Sequence, residues 1–346
     1  MKTNMLEAAP SFRVIGGDYI CEQLAASRRE VIDLVRDCYL QHEDGQTVNP
    51  DSYFLRFPDR PEARIIALPA ALRTSQQSEA VSGIKWIASY PRNIDVNLQR
   101  ASAVILLNDY QTGYPFACLE ASQISSARTA ASAVLAAGEL RAGVRRAGRL
   151  GIVGGGVIAA ATLAYFLADG WQFEDIVVHD ALPANGAAFV RNLGAEARGL
   201  RAGSVGEALA ADIVLLTTNA GTPWIAADHG FGPQQLILNL SLRDLPPEII
   251  LVANNVFDDV EHCMKANTSP HLAEQRAGHR GFVTGTLAQH MRGQCRLDPA
   301  RVTVFSPFGL GVLDLKLASF LYQRALAAGS ATEIPGFFAD TQRWSV

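Results

Sequence analysis

Gly154, Gly156 and Ala159 stand in the spacing G-x-G-x-x-A within GIVGGGVIAA, residues 151–160, directly after an apolar run and at the start of an alanine-rich one. Glycines there let the backbone turn tightly and approach a pyrophosphate, and the helix that follows offers unpaired N–H groups and the positive end of its dipole. The motif is weak when it stands alone. Asp180 strengthens it, because it ends IVVHD, 24 residues past Gly156, where a carboxylate can accept hydrogen bonds from the adenosine ribose. Ala181, Leu182 and Pro183 follow, with no arginine to meet a 2′-phosphate. The expected cofactor is therefore NAD rather than NADP. Thr217 and Thr218, closing DIVLLTT, read either as cofactor-facing hydroxyls or as ordinary strand-end residues.

Three further residues carry charge where the surrounding sequence is apolar or small. Asp244 follows LILNLSLR and precedes Pro246 and Pro247. In an open parallel sheet the ligand crevice lies beyond the carboxyl ends of the strands, so Asp180, Thr217 and Asp244 belong on one rim. Asp244 is then a candidate for chemistry opposite the nicotinamide, with a solvated turn as the competing reading. Arg243 beside it can neutralise the aspartate, bind a substrate carboxylate or reach solvent. Lys85 lies inside the strand-like run GIKWIASYPRN, where a lysine demands a carboxylate partner or the solvent face of the strand. Arg128 lies in EASQISSARTAASAVLA, where small neighbours permit close approach and the guanidinium fork suits carboxylates or phosphates. An ordinary salt bridge is the alternative there.

The elements that must position these residues follow from the periodicity. From about residue 149 to 255, apolar runs alternate with helical stretches: RLGIVGG, VIAAATLAYFLADG, DIVVHD, a helix from Pro183 to about Leu193, SVGEALA, DIVLLTT, LILNLSL and EIILVAN. Near-continuous apolar strands separated by helices predict a parallel sheet buried on both faces. Ser204 and Glu207 have capping-box spacing ahead of a short helix. The first 125 residues read as an opening helix from Ile20 to His42 and then antiparallel strands joined by turns. VLDLKLASFLYQRALAAG is a helix expected to return to that first region. The fold class is thus α/β: a Rossmann-type doubly wound parallel sheet plus an α+β substrate and dimerisation domain built from both chain termini. The expected boundaries are residues 1–128, 129–305 and 306–346, with a helix from Ser125 to Ala137 crossing between domains.

Composition narrows the function classes. The chain has 346 residues, 49% hydrophobic and 18% charged, enough for two ordinary cores. Its net charge of −4 and pI near 6.0 provide no basic footprint for nucleic acid. The amino terminus lacks the apolar core of a signal peptide and no apolar run is long enough to span a membrane, so the expected location is cytoplasmic. Five scattered cysteines without a C-x-x-C spacing suggest neither a disulfide framework nor zinc. His262, His271, His279 and His290 are spaced by 9, 8 and 11 residues, which puts no two at i and i+4 on one helical face, and no metal is expected.

GIKWIASYPRN, TGYPFACLEAS, ISSARTAASA, the glycine turn and ILNLSLRD resemble, in order and spacing, the ornithine cyclodeaminase and mu-crystallin family, over nearly the whole chain. NPDSYFLRFPDRPEARIIALPA, KWIASYPRNI and DDVEHCMKANTSPHLAEQRAGHR resemble most the branch that makes 2,3-diaminopropionate for siderophores and peptide antibiotics. That resemblance implies oxidative cleavage of N-(2-amino-2-carboxyethyl)-L-glutamate with NAD+, giving 2,3-diaminopropionate, 2-oxoglutarate and NADH, in a homodimer. By motif, Lys85 and Asp244 become catalytic, Lys85 and Arg128 substrate-binding, and Thr129 a cofactor-side residue. One departure stands out: the family's Pro-Arg is Pro50-Asp51 here, and Arg56 or Arg64 is the candidate replacement. Other chemistries of the same scaffold stay open: ornithine cyclodeamination, ketimine or imino-acid reduction, and non-catalytic binding like that of mu-crystallin.

Overall fold

The computed structural model describes residues 10–73, 80–339 and 341; the leader reading made on the first residues therefore falls largely outside them. The described residues form two compact units, those within 1–27, 44–125 and 311–346 in one and residues 28–43 and 126–310 in the other. The single opening helix expected from sequence is two helices, α1 (Gly17–Ala26) and α2 (Arg28–Glu43), broken at Ser27. Ser27 leaves helical geometry at φ −119°, ψ 22°, and its hydroxyl accepts from Arg324 at 2.7 Å. α2 falls in the second unit.

The first unit is built on a mixed sheet. Its strands are β1 (Arg13–Ile15), β2 (Thr47–Val48), β3 (Tyr53–Phe57), β4 (Arg60–Leu72), β5 (Val81–Ser89), β6 (Ala101–Asp109), β7 (Pro115–Glu120) and, at the far edge, β16 (Thr332–Glu333). They run in the order β16-β1-β7-β6-β5-β4-β2, with β3 also on β4. The long β4-β5-β6 meander is antiparallel, as expected. Along β6 the alternation is clean: Ala103, Ile105 and Leu107 are buried while Ser102 and Val104 are exposed. The buried face packs under α11 (Gly311–Ala327), the returning helix.

The chain enters the second unit along α3 (Ser122–Leu140), which begins before the boundary and ends beyond it. Eight parallel strands follow: β8 (Arg146–Val153), β9 (Gln172–His179), β10 (Leu200–Ala202), β11 (Ile213–Leu216), β12 (Leu236–Asn239), β13 (Asn254–Phe257), β14 (Val283–Thr286) and β15 (Thr303–Ser306). Their order is β10-β9-β8-β11-β12-β15-β13-β14, and every pairing is parallel. Every residue of β11, β12, β13 and β15 is buried, as a sheet covered on both faces requires. The doubly wound expectation holds, and the first five strands follow the dinucleotide-fold order. The helices between them are α4 (Val157–Ala168), α5 (Pro183–Leu193), α6 (Val205–Leu209), α7 (Pro247–Val252), α8 (Val260–Cys263), α9 (Ser269–Ala277) and α10 (Leu287–Met291).

Ser204 and Glu207 form the capping box expected at α6. EIILVAN, read as a strand, is instead the body of α7 leading into β13. Pro247 at the first helical position and Pro246 as N-cap start a helix there, a signal that the apolar run masks. Among the described residues no helix is long and apolar enough to cross a membrane.

Candidate active site

β8 delivers the glycine turn at its carboxyl end. Gly154 has φ +95°, and a β-carbon there would lie 2.7 Å from the Thr217 carbonyl oxygen, so both the backbone angle and the space demand glycine. Gly156 caps α4 without any side-chain bond, which leaves the first-turn N–H groups facing an incoming anion. No atom lies within 4 Å of a β-carbon built at Gly156, and Ala159 is fully buried where the helix meets the sheet. Asp180 sits one residue past β9; its Oδ2 accepts from Gly155 N at 2.9 Å and its Oδ1 from Leu182 N at 2.9 Å and Asn185 Nδ2 at 3.2 Å. The acid is thus held against the glycine turn with acceptor capacity left on Oδ2. This cradle suits a dinucleotide.

Thr217 does not project away from the sheet. Its hydroxyl donates to Gly154 O at 2.8 Å and Val153 O at 3.1 Å, tying the end of β11 to the glycine turn. Its neighbour Thr218 turns the other way, donating to Asp244 Oδ1 at 2.5 Å. Consecutive residues therefore connect the glycine turn to the candidate base.

Asp244 itself is not at a strand end. β12 stops at Asn239, and a turn through Leu242, at φ +68°, brings Asp244 back to full burial. Trp224 Nε1 donates to Oδ1 at 2.7 Å, and the Ser241 hydroxyl makes a short bond to Oδ2. The solvated-turn reading does not describe it. Arg243 does not bond to the aspartate beside it: its guanidinium donates to the carbonyls of Ala266, at 2.6 Å, and Asn267, at 2.9 Å. Those two residues have φ +56° and +53°, so Arg243 braces a left-handed stretch of backbone.

Arg128 lies on α3, with the Gly309 main chain packed against it. A β-carbon at Gly309, where φ is +97°, would sit 2.4 Å from Nη1 of Arg128. The neighbouring carboxylate Asp258, buried at the end of β13, accepts Phe308 N at 2.9 Å and Gly309 N at 2.7 Å. Burial pushes the Asp258 carboxyl above its usual value, against these amide bonds. Next to it, Asp259 accepts from His262 Nδ1 at 2.9 Å and His42 Nε2 at 3.0 Å. Despite partial burial, which acts upward, the two histidines hold the Asp259 carboxyl far below the carboxylate range. The remaining histidines are spread elsewhere, His271 against Gln275 and His290 near Glu139 O. Thr129 follows Arg128 on α3, half-buried.

In the first unit Lys85 takes the carboxylate that an apolar strand demands. Its Nζ lies 2.6 Å from Oδ2 of Asp314 on α11 and 3.1 Å from Ser125 Oγ, and both ends of the pair are buried. Ladder register places Arg56 opposite Arg64, and Arg64 opposite Ser89, on the sheet face that carries Lys85. Ser89 is four residues along β5 from Lys85, about 13 Å. Arg56 is exposed and stacks over Phe54 at 5.3 Å. Sequence reasoning missed Asp314, Trp224, Ser241 and Asp258. Asp314 alone left a signal, an acid within the apolar face of VLDLKLASF.

Fold and site together define a dinucleotide-binding α/β protein, and the chain belongs to the ornithine cyclodeaminase/mu-crystallin family, whose model matches residues 20–329. It is 31% identical over 320 residues to the N-((2S)-2-amino-2-carboxyethyl)-L-glutamate dehydrogenase of Staphylococcus aureus, covering 88% of this chain and 93% of that one. Among solved structures it resembles the Thermococcus litoralis Delta(1)-pyrroline-2-carboxylate reductase in complex with NADH and L-proline, with a TM-score of 0.82 and 24% identity over 93% of this chain and all of that one. An archaeal alanine dehydrogenase dimer with bound NAD matches equally in fold, with a TM-score of 0.82 and 23% identity over 95% of this chain and all of that one.

Proposed function

We propose that this protein is an NAD-dependent dehydrogenase acting on an amino-acid C–N bond, with N-(2-amino-2-carboxyethyl)-L-glutamate as its substrate. The observation that carries the reading is the fully buried Asp244 carboxylate, linked through Thr218 and Thr217 to the glycine turn. Its S. aureus relative is named for that substrate.

Gly154, Gly156, Ala159 and Asp180 would hold the dinucleotide, which supplies a hydride acceptor when bound. Asp244 accepts the proton of the substrate's secondary amine as hydride leaves the glutamate Cα and a C=N bond forms. Water then adds to that carbon with Asp244 again managing the proton, and the C–N bond breaks to release 2-oxoglutarate and 2,3-diaminopropionate. Lys85, Arg128 and an arginine of the β3–β4 hairpin, Arg56 or Arg64, match a substrate with three carboxylates. The Asp314 carboxylate, 2.6 Å from its Nζ, orients Lys85 for that task. Thr129 stands beside Arg128 as a cofactor-side residue. The product suits siderophore or peptide-antibiotic assembly, in the cytoplasm, and the working unit is a homodimer.

The purified protein with NAD+ should form NADH steadily from N-(2-amino-2-carboxyethyl)-L-glutamate and far more slowly from L-ornithine, L-alanine or L-proline. Proline formation from ornithine without net NADH would replace this reading with cyclodeamination. Asp244→Asn should retain NAD binding and lose turnover by two orders of magnitude or more, roughly the scale for a general base.

A further inference from the structure

Trp224 is 39% exposed, yet its indole N–H reaches inward to a fully buried carboxylate. The main chain is clamped at the same place, because the amides of Trp224 and Ile225 both donate to the Asp244 carbonyl oxygen at 3.3 Å. A carboxylate offers about four acceptor positions. Thr218 and Trp224 occupy two on Oδ1 and Ser241 occupies one on Oδ2. The one left over is on Oδ2. Of the three partners, the two hydroxyls can rotate and either donate or accept, whereas an indole N–H only donates. Trp224 is therefore the partner that holds Oδ1 as an acceptor whatever the protonation of the group, while the Ser241 hydroxyl is able to turn when Oδ2 takes a proton.

We infer that Trp224 is a positioning residue for Asp244: it pins Oδ1 so that Oδ2 presents its remaining acceptor position to the amine proton of the substrate. The inference rests on the reading of Asp244 as proton acceptor. Lining up that position matters because a misplacement of about 1 Å at a reacting group costs on the order of a hundredfold in rate.

Trp224→Phe removes the N–H and keeps the ring and both main-chain bonds; Trp224→Gln returns an N–H the same number of bonds from Cβ. With N-(2-amino-2-carboxyethyl)-L-glutamate and NAD+, Trp224→Phe should lower kcat by about tenfold or more while both KM values stay within about twofold, and Trp224→Gln should recover most of the loss. In the protein without ligands, the indole N–H resonance that disappears in Trp224→Phe should move upfield in Asp244→Asn, where the acceptor loses its charge. A Trp224→Phe kcat within twofold of the parent, a Gln variant no better than Phe, or an indole resonance indifferent to Asp244→Asn would each overturn the inference. Normal turnover by Asp244→Asn would overturn the proton-acceptor reading itself and this inference with it.

Discussion

In the proposed reading, Asp180 serves both the glycine turn and the choice of cofactor. Its hydrogen bonds to Gly155 N, Leu182 N and Asn185 fix the turn, and its negative charge opposes a 2′-phosphate at the position where ribose hydroxyls would bind. Hydrogen bonds to a charged group contribute about 1.5–3 kcal/mol each, equivalent to roughly 10- to 100-fold in affinity. Asp180→Ser should therefore raise the KM for NAD+ by about tenfold or more and narrow the preference over NADP+, with kcat much less affected. Initial rates with both cofactors decide it; an unchanged KM for NAD+ would leave Asp180 as a brace of the loop alone. Lys85 teaches the complementary lesson. A lysine in an apolar strand asked for either an acid or the solvent face, and the acid came from Asp314, 229 positions away.

At the scale of elements, the strand-turn-helix unit at β8–α4 and the acid after β9 were legible because local chemistry dictates them: glycine where φ is +95°, small residues where helix meets strand, a carboxylate at the next strand's end. Asp244 was legible as a residue but not as geometry, since the turn from Asn239 to Asp244 is held by partners, Thr218 and Trp224, that lie 26 and 20 positions upstream. α7 was misread because its apolar run is continuous, from the buried Ile249 and Ile250 through to the exposed Val252, and so shows no 3.6-residue period. The β13–α8 junction was not legible at all. There Asp259 caps α8, accepting His262 N at 2.8 Å, and joins two histidine rings. Its carboxyl is held below the unfolded value, about 3.9, so its contribution to stability is complete above that pH and is lost as pH falls through the folded value. Asp259→Asn keeps an N-cap oxygen and loses the charge. Urea unfolding should show it less stable than the parent by about 1–3 kcal/mol at pH 6, with the difference narrowing as the pH falls below the unfolded carboxylate value, as far as both remain folded. A deficit that persists undiminished in acid would assign the loss to packing.

For the molecule as a whole, the first unit's sheet poses a question that a single chain does not answer. One face lies under α11 with Lys85 and Ile105 buried, while the other presents Tyr53, Leu55, Trp86 and Val104 to solvent, with Ile84 and Leu106 half-covered beside them. Register makes these one patch, since Trp86 pairs with Ala67 on one side and Val104 on the other, and Tyr53 pairs with Ala67 across β3 and β4. Contiguous apolar area of this kind on a sheet marks an association surface, and in a two-fold dimer the same patch meets its own copy. That is the physical ground for the proposed homodimer, and it makes a single substitution act twice at the interface. Val104→Lys places a charge in the middle of the patch, on the sheet face opposite Lys85 and α11. Sedimentation equilibrium should find the parent at twice the chain mass and Val104→Lys shifted toward one chain mass, with the parent's thermal midpoint rising with protein concentration and the variant's much less so. A parent that sediments at one chain mass would refute the homodimer. A variant that remains as tightly dimeric as its parent would move the interface off this face, and the exposed ring of Trp86 would then need a different partner to cover it.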